Sequence, residues 1–346
     1  MCWSGAACEA GIHAMRGLLE SEGTEAVILV DASNAFNSLN REAALRNVRI
    51  LCPVLAPILV NTYRQPSRLF IDSEHIWSQE GTTQGDPLAM VMYAIGTLPL
   101  IHRLQGPVAQ VWYADDASAG GCATGLRRWW DVLQSSGPLF GYYPNPRKTC
   151  LIVKSEHLRN AEAQFQGTGM QITTQGQRHL GAPLGSKSFV EKFVHAKVSV
   201  WVSEIKSLSE IASSQPQAAY AALTHGLMSR WTHLMRTVPG IDNLFQPLED
   251  EIRHRFLPAL TGREAPSDAE RELIVLPARH GGLGIPIPTR IASWQFTRSV
   301  EITAPLVGLI VQQSPQYSAV AQARQKEAKT AVRSRNLSNT TKAADL

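Results

Sequence analysis

The sequence lacks the features that would place it in a membrane or outside the cell. Its longest apolar stretch, Pro87–Ile101, is shorter than the roughly 20 residues needed to cross a bilayer, and we expect a buried helix there. There are only five cysteines, without C-x-x-C spacing, which favours reduced thiols over a disulfide framework. No apolar run precedes Ala6-Ala7-Cys8, so no signal peptide is predicted. We therefore expect an intracellular protein, in the cytoplasm or nucleus, without a transmembrane segment.

The sequence also has little net charge of either sign outside its C-terminal end. The formal net charge is +4, and residues 321–346 alone contain six Lys/Arg and two Asp/Glu. The rest of the chain is formally neutral, so a site for a polyanion must come from local arrangement or bound metal. The ten histidines show no metal-ligand spacing, and Gly185-Ser186-Lys187-Ser188 lacks the glycine pattern of a phosphate loop.

The N-terminal half shows a pattern of strands separated by helices. Ala26–Val30 is a short apolar run typical of a buried strand, and Gln110–Tyr113 with Ala117–Ala119 predicts a hairpin. Thr149–Lys154 predicts a further strand. With the intervening helices this is a βαββαβ order, the split βαβ arrangement. We expect an α+β fold with an antiparallel sheet and helices on one face.

The pattern changes to helical periodicity after Ser186 and predicts a second domain made only of helices. Beyond about Ser314 the sequence is polar and loses this periodicity, and we expect disorder there. The predicted regions are a leading helical segment, a sheet domain, a helical domain and a polar tail, at 1–25, 26–186, 187–313 and 314–346.

Three carboxylates occupy the ends of predicted strands. Asp31 follows the first strand directly, and Asp115-Asp116 lies at the tip of the hairpin. Taken singly, such residues are more often caps or turn residues than ligands. In a βαββαβ sheet, however, the first and third strands are neighbours, so these carboxylates come together and repel unless a cation lies between them. Two Mg²⁺ ions, or Mn²⁺, would meet that need and would serve phosphoryl transfer.

Five short motifs, in order along the chain, resemble those of the reverse transcriptase family, and retroelements without long terminal repeats are the nearest likeness. The motifs are Asp31-Ala32-Ser33-Asn34-Ala35-Phe36, Gln84-Gly85-Asp86-Pro87-Leu88, Tyr113-Ala114-Asp115-Asp116, Gly141-Tyr142-Tyr143-Pro144-Asn145-Pro146-Arg147-Lys148-Thr149 and Leu180-Gly181-Ala182-Pro183-Leu184-Gly185. The resemblance implies a polymerase palm followed by a thumb-like helical domain. It also implies that the fingers are largely missing, because only about 25 residues precede the strand that leads into the first motif.

The resemblance implies roles for the carboxylates and for one lysine. Asp31 and Asp115 would ligate two Mg²⁺ ions, with help from the Ala32 carbonyl, and Asp116 would be a supporting carboxylate in the same metal site. Lys148 would protonate the pyrophosphate leaving group as a general acid. A solvated surface lysine explains Lys148 almost as well.

Four further residues would contact the nucleotide or the strands. Phe36 would lie under the sugar and exclude a 2′-hydroxyl, whereas without the family likeness a plain core aromatic is preferred. Gln84 and Gly85 precede a helix whose free backbone amides can face phosphate or the template base, although Gly85 can also serve only the turn. Tyr113 would pack near the primer terminus, or be an ordinary strand tyrosine.

These expectations define an RNA-directed DNA polymerase that takes an RNA template, a DNA primer and deoxynucleoside triphosphates. Protein partners are not predicted. The alternative is a catalytically inactive, truncated retroelement remnant that at most binds nucleic acid. A nucleotide cyclase on the same sheet topology is a more remote option, since it would not need Gln84-Gly85 or the thumb-like helices.

Overall fold

The computed structural model describes residues 7–83, 85–314 and 319–344 and divides the chain into two units, each with its own hydrophobic core. The first unit comprises Ala14–Thr174 with Ile310–Ser314, and the second comprises residues 7–13, Gln175–Leu309 and 319–344. The fold is α+β, as predicted. Within the described ranges no helix is long and apolar enough to cross a membrane.

The first unit contains a five-stranded sheet and a separate hairpin. Its strands are β1 (Ala26–Val30), β2 (Ser67–Ile71), β3 (Glu74–Ser78), β4 (Ala109–Tyr113), β5 (Asp116–Gly121), β6 (Cys150–Val153) and β7 (Gln171–Thr173). Its helices are α1 (Ala7–Glu20, from Ala14 onwards), α2 (Ala35–Ser38), α3 (Arg41–Leu51), α4 (Ala56–Tyr63), α5 (Ala89–Arg103), α6 (Ala123–Ser136) and α7 (Leu158–Gln164).

The strand order in the main sheet is β4-β5-β1-β6-β7. β1 is antiparallel to both neighbours, with Ile28 opposite Ala119 of β5 and Leu151 of β6. The predicted adjacency of the first strand and the second strand of the hairpin is therefore confirmed. The expectation of a wholly antiparallel sheet is wrong at one edge, because β7 pairs with β6 in parallel. The chain crosses over between them through α7, and such a crossover permits parallel pairing.

Both faces of β1 are buried, which explains its unbroken run of apolar residues. Ala26, Ile28 and Val30 belong to the first core, to which α6 contributes Trp129 and Trp130. The opposite face is covered as well, contrary to the prediction of helices on one face only. There Gly120 of β5 leaves room for α1, since a β-carbon on it would lie 3.3 Å from the Leu18 Cβ.

The second unit is helical apart from one two-stranded hairpin. The strands are β8 (Gly176–His179) and β9 (Ala182–Gly185), and the helices are α8 (Lys187–Ala212), α9 (Pro216–Ala221), α10 (Met228–Thr237), α11 (Gln246–Glu251), α12 (Leu257–Thr261), α13 (Asp268–Val275), α14 (Pro288–Val311, up to Leu309) and α15 (Ala319–Ala344). Two π-helical segments, Ala222–Leu227 and Ile252–Phe256, interrupt otherwise continuous helices.

Two observed boundaries differ from the sequence-based division. Hairpin β8–β9 belongs to the second unit rather than to the sheet domain, because Ala182 is buried in the second core and Leu180 packs against it. The polar tail forms α15 over residues where we expected disorder. Its content of Ala, Gln, Lys and Arg favours helix even without an apolar stripe.

Candidate active site

Asp31 is held by backbone pairing just beyond the end of β1. Its carbonyl accepts a hydrogen bond from the Asn145 N–H at 2.9 Å, and the Ser33 N–H donates to the Tyr143 carbonyl at 2.9 Å. Ala32 lies between them in an isolated antiparallel bridge, and neither bond uses its carbonyl. The Asp31 side chain is 47% exposed. Its backbone is therefore fixed while its carboxylate is open to solvent.

Asp115 lies in the tight turn between β4 and β5, and Asp116 is the first residue of β5. Tyr113 pairs with Asp116, so the loop contains only Ala114 and Asp115. Ala114 has a φ of 54°, in the left-handed region that favours glycine and that two-residue hairpin turns require. Continuing the register of β1 with β5 by one pair sets Asp31 opposite Asp116, about 5 Å away between backbones. Asp31, Asp115 and Asp116 therefore lie at the same end of neighbouring strands, and we name this end of the sheet the carboxylate edge.

Lys148 also reaches this edge. It is the last residue of a short 3₁₀ turn, Pro146–Lys148. Asn145 caps this turn, and its side chain accepts a hydrogen bond from the Arg147 N–H at 3.1 Å. The Lys148 Nζ lies 3.6 Å from the Asp31 Oδ1, with the lysine side chain 64% exposed. An ion pair this exposed contributes about 0–1 kcal/mol. A phosphate or a cation can therefore displace either partner at little cost.

Two buried tyrosines lie beneath the carboxylates and were missed by the sequence analysis. The Tyr142 hydroxyl donates to the Asp115 carbonyl at 3.0 Å, whereas the buried Tyr93 hydroxyl has no hydrogen-bond partner among the described residues. Burial, and then the negative charges of Asp115 and Asp116, raise the pKa of Tyr93. Burial and then Tyr93, followed by the same carboxylates and Asp31, raise the pKa of Tyr142. Both tyrosines are therefore neutral over the ordinary pH range.

No sequence signal singled these tyrosines out. Tyr93 is one residue of an apolar helix, α5, and its position looks like any core position. Tyr142 falls within the motif that contains Lys148, but the spacing alone does not show where its ring points. Only the three-dimensional structure brings the Tyr142 hydroxyl to the Asp115 carbonyl and Tyr93 near the charges of Asp115 and Asp116.

Phe36 lies on α2 and stacks against Tyr93, with ring centroids 4.4 Å apart and an interplanar angle of 25°. Its side chain is partly buried and packs on the first core rather than within it. The preceding Asn34 has a left-handed φ of 50°, a conformation that asparagine tolerates better than most residues. The structure therefore places Phe36 beside the carboxylate edge, with part of its ring still accessible.

The second motif precedes α5. Gly85 has a φ of +88° and open space where a β-carbon would lie, so backbone conformation rather than crowding requires glycine there. Asp86 accepts the Leu88 N–H at 2.8 Å, and the Tyr63 hydroxyl donates to it as well. Gln84 lies outside the described residues. Tyr113 is exposed at the end of β4, which distinguishes it from a core strand residue.

The donor set at this edge fits a hard divalent cation. Among the described residues no group of three or more His, Cys, Asp or Glu side chains is arranged so that it could hold a metal ion. Asp31, Asp115 and Asp116 nevertheless supply only carboxylate oxygens from adjacent strand ends, and oxygen is the ligand that Mg²⁺ takes in proteins. Their donor chemistry, but not their arrangement in this structure, is that of a magnesium site.

No protein-family model matches the chain, and no curated protein matches its sequence. The α+β class of the fold is given by the structure, and the functional assignment depends on the residues at the carboxylate edge. That edge comprises three acidic side chains, one exposed cationic side chain and two neutral buried tyrosines in the first unit.

Proposed function

We propose that the first unit is the palm of an RNA-directed DNA polymerase, of the kind found in retroelements without long terminal repeats, and that the helical second unit corresponds to its thumb. The observation that best supports this is the placement of Asp31 and Asp115-Asp116 at adjacent strand ends. The five sequence motifs that resemble reverse transcriptases include these carboxylates. The substrates would be an RNA template, a DNA primer and deoxynucleoside triphosphates.

The carboxylates would hold two Mg²⁺ ions, which when bound offset the charge that develops on the attacking and leaving oxygens. Asp31 and Asp115 are the proposed ligands, and Asp116 supports them. The neutral hydroxyl of Tyr142 fixes the turn by donating to the Asp115 carbonyl. The buried tyrosine rings also exclude water from beneath the turn, which strengthens the electrostatic interactions above it.

Other side chains would orient the substrates. Phe36, which stacks on Tyr93, would lie under the deoxyribose and exclude a 2′-hydroxyl. Lys148, freed from its exposed pair with Asp31, would donate a proton to the departing pyrophosphate. Gln84 and Gly85 would face a phosphate or the template base, and Tyr113 would pack near the primer terminus.

The test is extension of a labelled DNA primer on an RNA template with Mg²⁺ and the four deoxynucleoside triphosphates. We expect extension by the wild type and a loss of roughly 10³-fold in Asp115→Asn, since losing a ligand removes several kcal/mol of charge stabilisation. Asp131→Asn is the matched control, because Asp131 is an exposed carboxylate on α6 paired with Arg127.

Equal extension by Asp115→Asn and the wild type would refute the proposed polymerase site. No extension by the wild type, together with salt-sensitive binding of the template, would instead identify an inactive remnant that only binds nucleic acid. Release of a cyclic product from a single triphosphate would identify a cyclase.

A further inference from the structure

Hairpin β2–β3 stands apart from the main sheet and is exposed along most of its length. All five residues of β2 and the first four of β3 are exposed. Phe70 is 74% exposed and Trp77 is 50% exposed. Large aromatic side chains at that level of exposure are unusual without a binding role, and a cluster of them marks an interaction site.

The two faces of this hairpin differ in chemistry. The register pairs Arg68 with Trp77 and Phe70 with His75, and side chains alternate between faces along each strand. One face, which we name the aromatic face, therefore presents only aromatic and basic groups, and its members are Arg68, Phe70, His75 and Trp77. The opposite, aliphatic face presents the pair Leu69 and Ile76, beside Ile71 and Glu74.

The rings of the aromatic face form a continuous row. The Arg68 guanidinium lies over the Trp77 ring at 5.0 Å from its centroid. His75 meets Trp77 edge-on at 5.8 Å and approaches Phe70 at 6.1 Å between centroids. Each ring supports its neighbour, so the row is ordered in advance and its outer surfaces are left for a planar ligand.

The base of the hairpin is anchored by a buried arginine. Arg41 of α3 is only 5% exposed. Its guanidinium donates to the Ser78 carbonyl and hydroxyl at 2.7 and 2.6 Å, and to the Gly81 carbonyl at 2.7 Å. A two-stranded hairpin alone is marginally stable in water. The Arg41 anchor therefore holds the aromatic face in a defined place on the first unit.

We propose that the aromatic face binds single-stranded nucleic acid, with bases stacked on Phe70, His75 and Trp77 and a phosphate contacted by Arg68. Interleaved rings and a cation, with no carboxylate among the four, complement a strand of stacked bases and phosphates. A protein partner would be expected to use the aliphatic face, which lacks the cation. Identification of the bound strand as the template rests on the proposed polymerase function; the binding itself does not.

The first test measures binding of a fluorescein-labelled single-stranded oligouridine to the full chain, in chelator and without triphosphates. Phe70→Leu with Trp77→Leu keeps apolar side chains on the strands but removes two stacking surfaces, and we expect the affinity to fall at least tenfold. Leu69→Ala with Ile76→Ala is the matched control on the aliphatic face, and its affinity should stay within about twofold. Circular dichroism melts check that both double variants fold.

The second test locates the contact by photocrosslinking. An iodouracil-substituted oligonucleotide is irradiated with the protein, and the crosslinked peptides are identified by mass spectrometry. Crosslinks within Ser67–Ser78 support the aromatic face. The assignment would be overturned if the Phe70/Trp77 variant kept its affinity for the oligonucleotide and crosslinks formed only outside Ser67–Ser78. It would also be overturned if the substitutions changed only the self-association of the protein or its capture of another protein.

These outcomes are distinct from those of the polymerase test. Binding is measured without metal or triphosphate, so a chain that binds through Ser67–Ser78 but extends no primer would refute only the polymerase activity. Conversely, an active polymerase whose extension and template affinity are unchanged in Phe70→Leu/Trp77→Leu would refute only the aromatic face.

Discussion

Tyr93 and Tyr142 have similar surroundings but opposite hydrogen-bonding states. Both rings are fully buried beneath the carboxylate turn. The Tyr142 hydroxyl has an acceptor in the Asp115 carbonyl, whereas the Tyr93 hydroxyl has none among the described residues. A buried polar group without a partner costs about 1–3 kcal/mol, and a satisfied one contributes about 1 kcal/mol. The two hydroxyls therefore affect the free energy of unfolding with opposite signs.

We expect Tyr93→Phe to raise the free energy of unfolding by about 1 kcal/mol or more and Tyr142→Phe to lower it by about 1 kcal/mol. Each substitution keeps the ring, so the stacking of Phe36 on position 93 is preserved. Urea titrations of the two variants and the wild type, with slopes compared, measure the change. Shifts of the same sign in both variants would contradict this assignment of hydrogen bonds.

Motifs in the sequence predicted the acidic side chains of the candidate site but not the buried tyrosines beneath them. Asp31, Asp115 and Lys148 were predicted from motifs, and the structure brings Asp31 and Lys148 within 3.6 Å. Tyr93 was not predicted, because burial and the direction of a ring depend on contacts between distant segments. The functional roles of Asp31, Asp115 and Lys148, and that of Gln84, stay predictions.

Strand β6 contains a thiol whose ionisation opposes folding at high pH. Cys150 is buried and pairs with β1 at Leu29. Burial raises the pKa of Cys150 from 9.0 to about 11. Between these values the unfolded chain releases the thiol proton while the folded chain retains it. The stability due to the neutral thiol is therefore complete below pH 9 and is lost as the pH rises towards 11.

We expect the free energy of unfolding of the wild type to fall with pH between 9 and 11 more steeply than that of Cys150→Ala. The difference in slope approaches about 1.4 kcal/mol per pH unit for one thiol. Urea unfolding under reducing conditions at several pH values measures it. Cys122→Ala, which removes an exposed thiol, should leave the slope as in the wild type; equal slopes in all three proteins would contradict the prediction.

At the element scale, local patterns predicted β1, the β4–β5 hairpin and the helices with strong periodicity. They did not predict the parallel pairing of β7, because the three residues of Gln171–Thr173 contain too little pattern to define a strand. They also missed the two π-helical segments, whose extra residue per turn is set by packing rather than by composition. The tail forms a helix because its residues have high helix propensity, although it lacks an apolar stripe.

The second unit contains a buried ion pair. Arg271 of α13 is 2% exposed and binds both carboxylate oxygens of Glu249 on α11, at 2.8 and 2.9 Å. The same guanidinium donates to the carbonyls of Ile285 and Pro286. The Arg271 side chain therefore connects its own helix with two other segments of the second unit.

We expect Arg271→Met to lower the free energy of unfolding by about 3–5 kcal/mol, because it leaves the Glu249 charge buried without a partner. Arg290→Met is the matched control, since Arg290 pairs with Glu272 at the surface and such pairs contribute about 0–1 kcal/mol. Thermal and urea unfolding measure both. Adding Glu249→Met to Arg271→Met should restore part of the loss, and equal effects of the two arginine variants would exclude this role.

β1 lies between β5 and β6 in the sheet, and both of these partner strands are synthesised after it. β1 leaves the ribosome before its partners, and the residues of β5 that pair with it follow roughly ninety residues later. At about 5–20 residues per second, an entirely apolar strand with both edges open waits several seconds for its first partner. Until β5 and β6 are synthesised, the apolar run Ala26–Val30 has none of the strand partners that bury it in the folded unit.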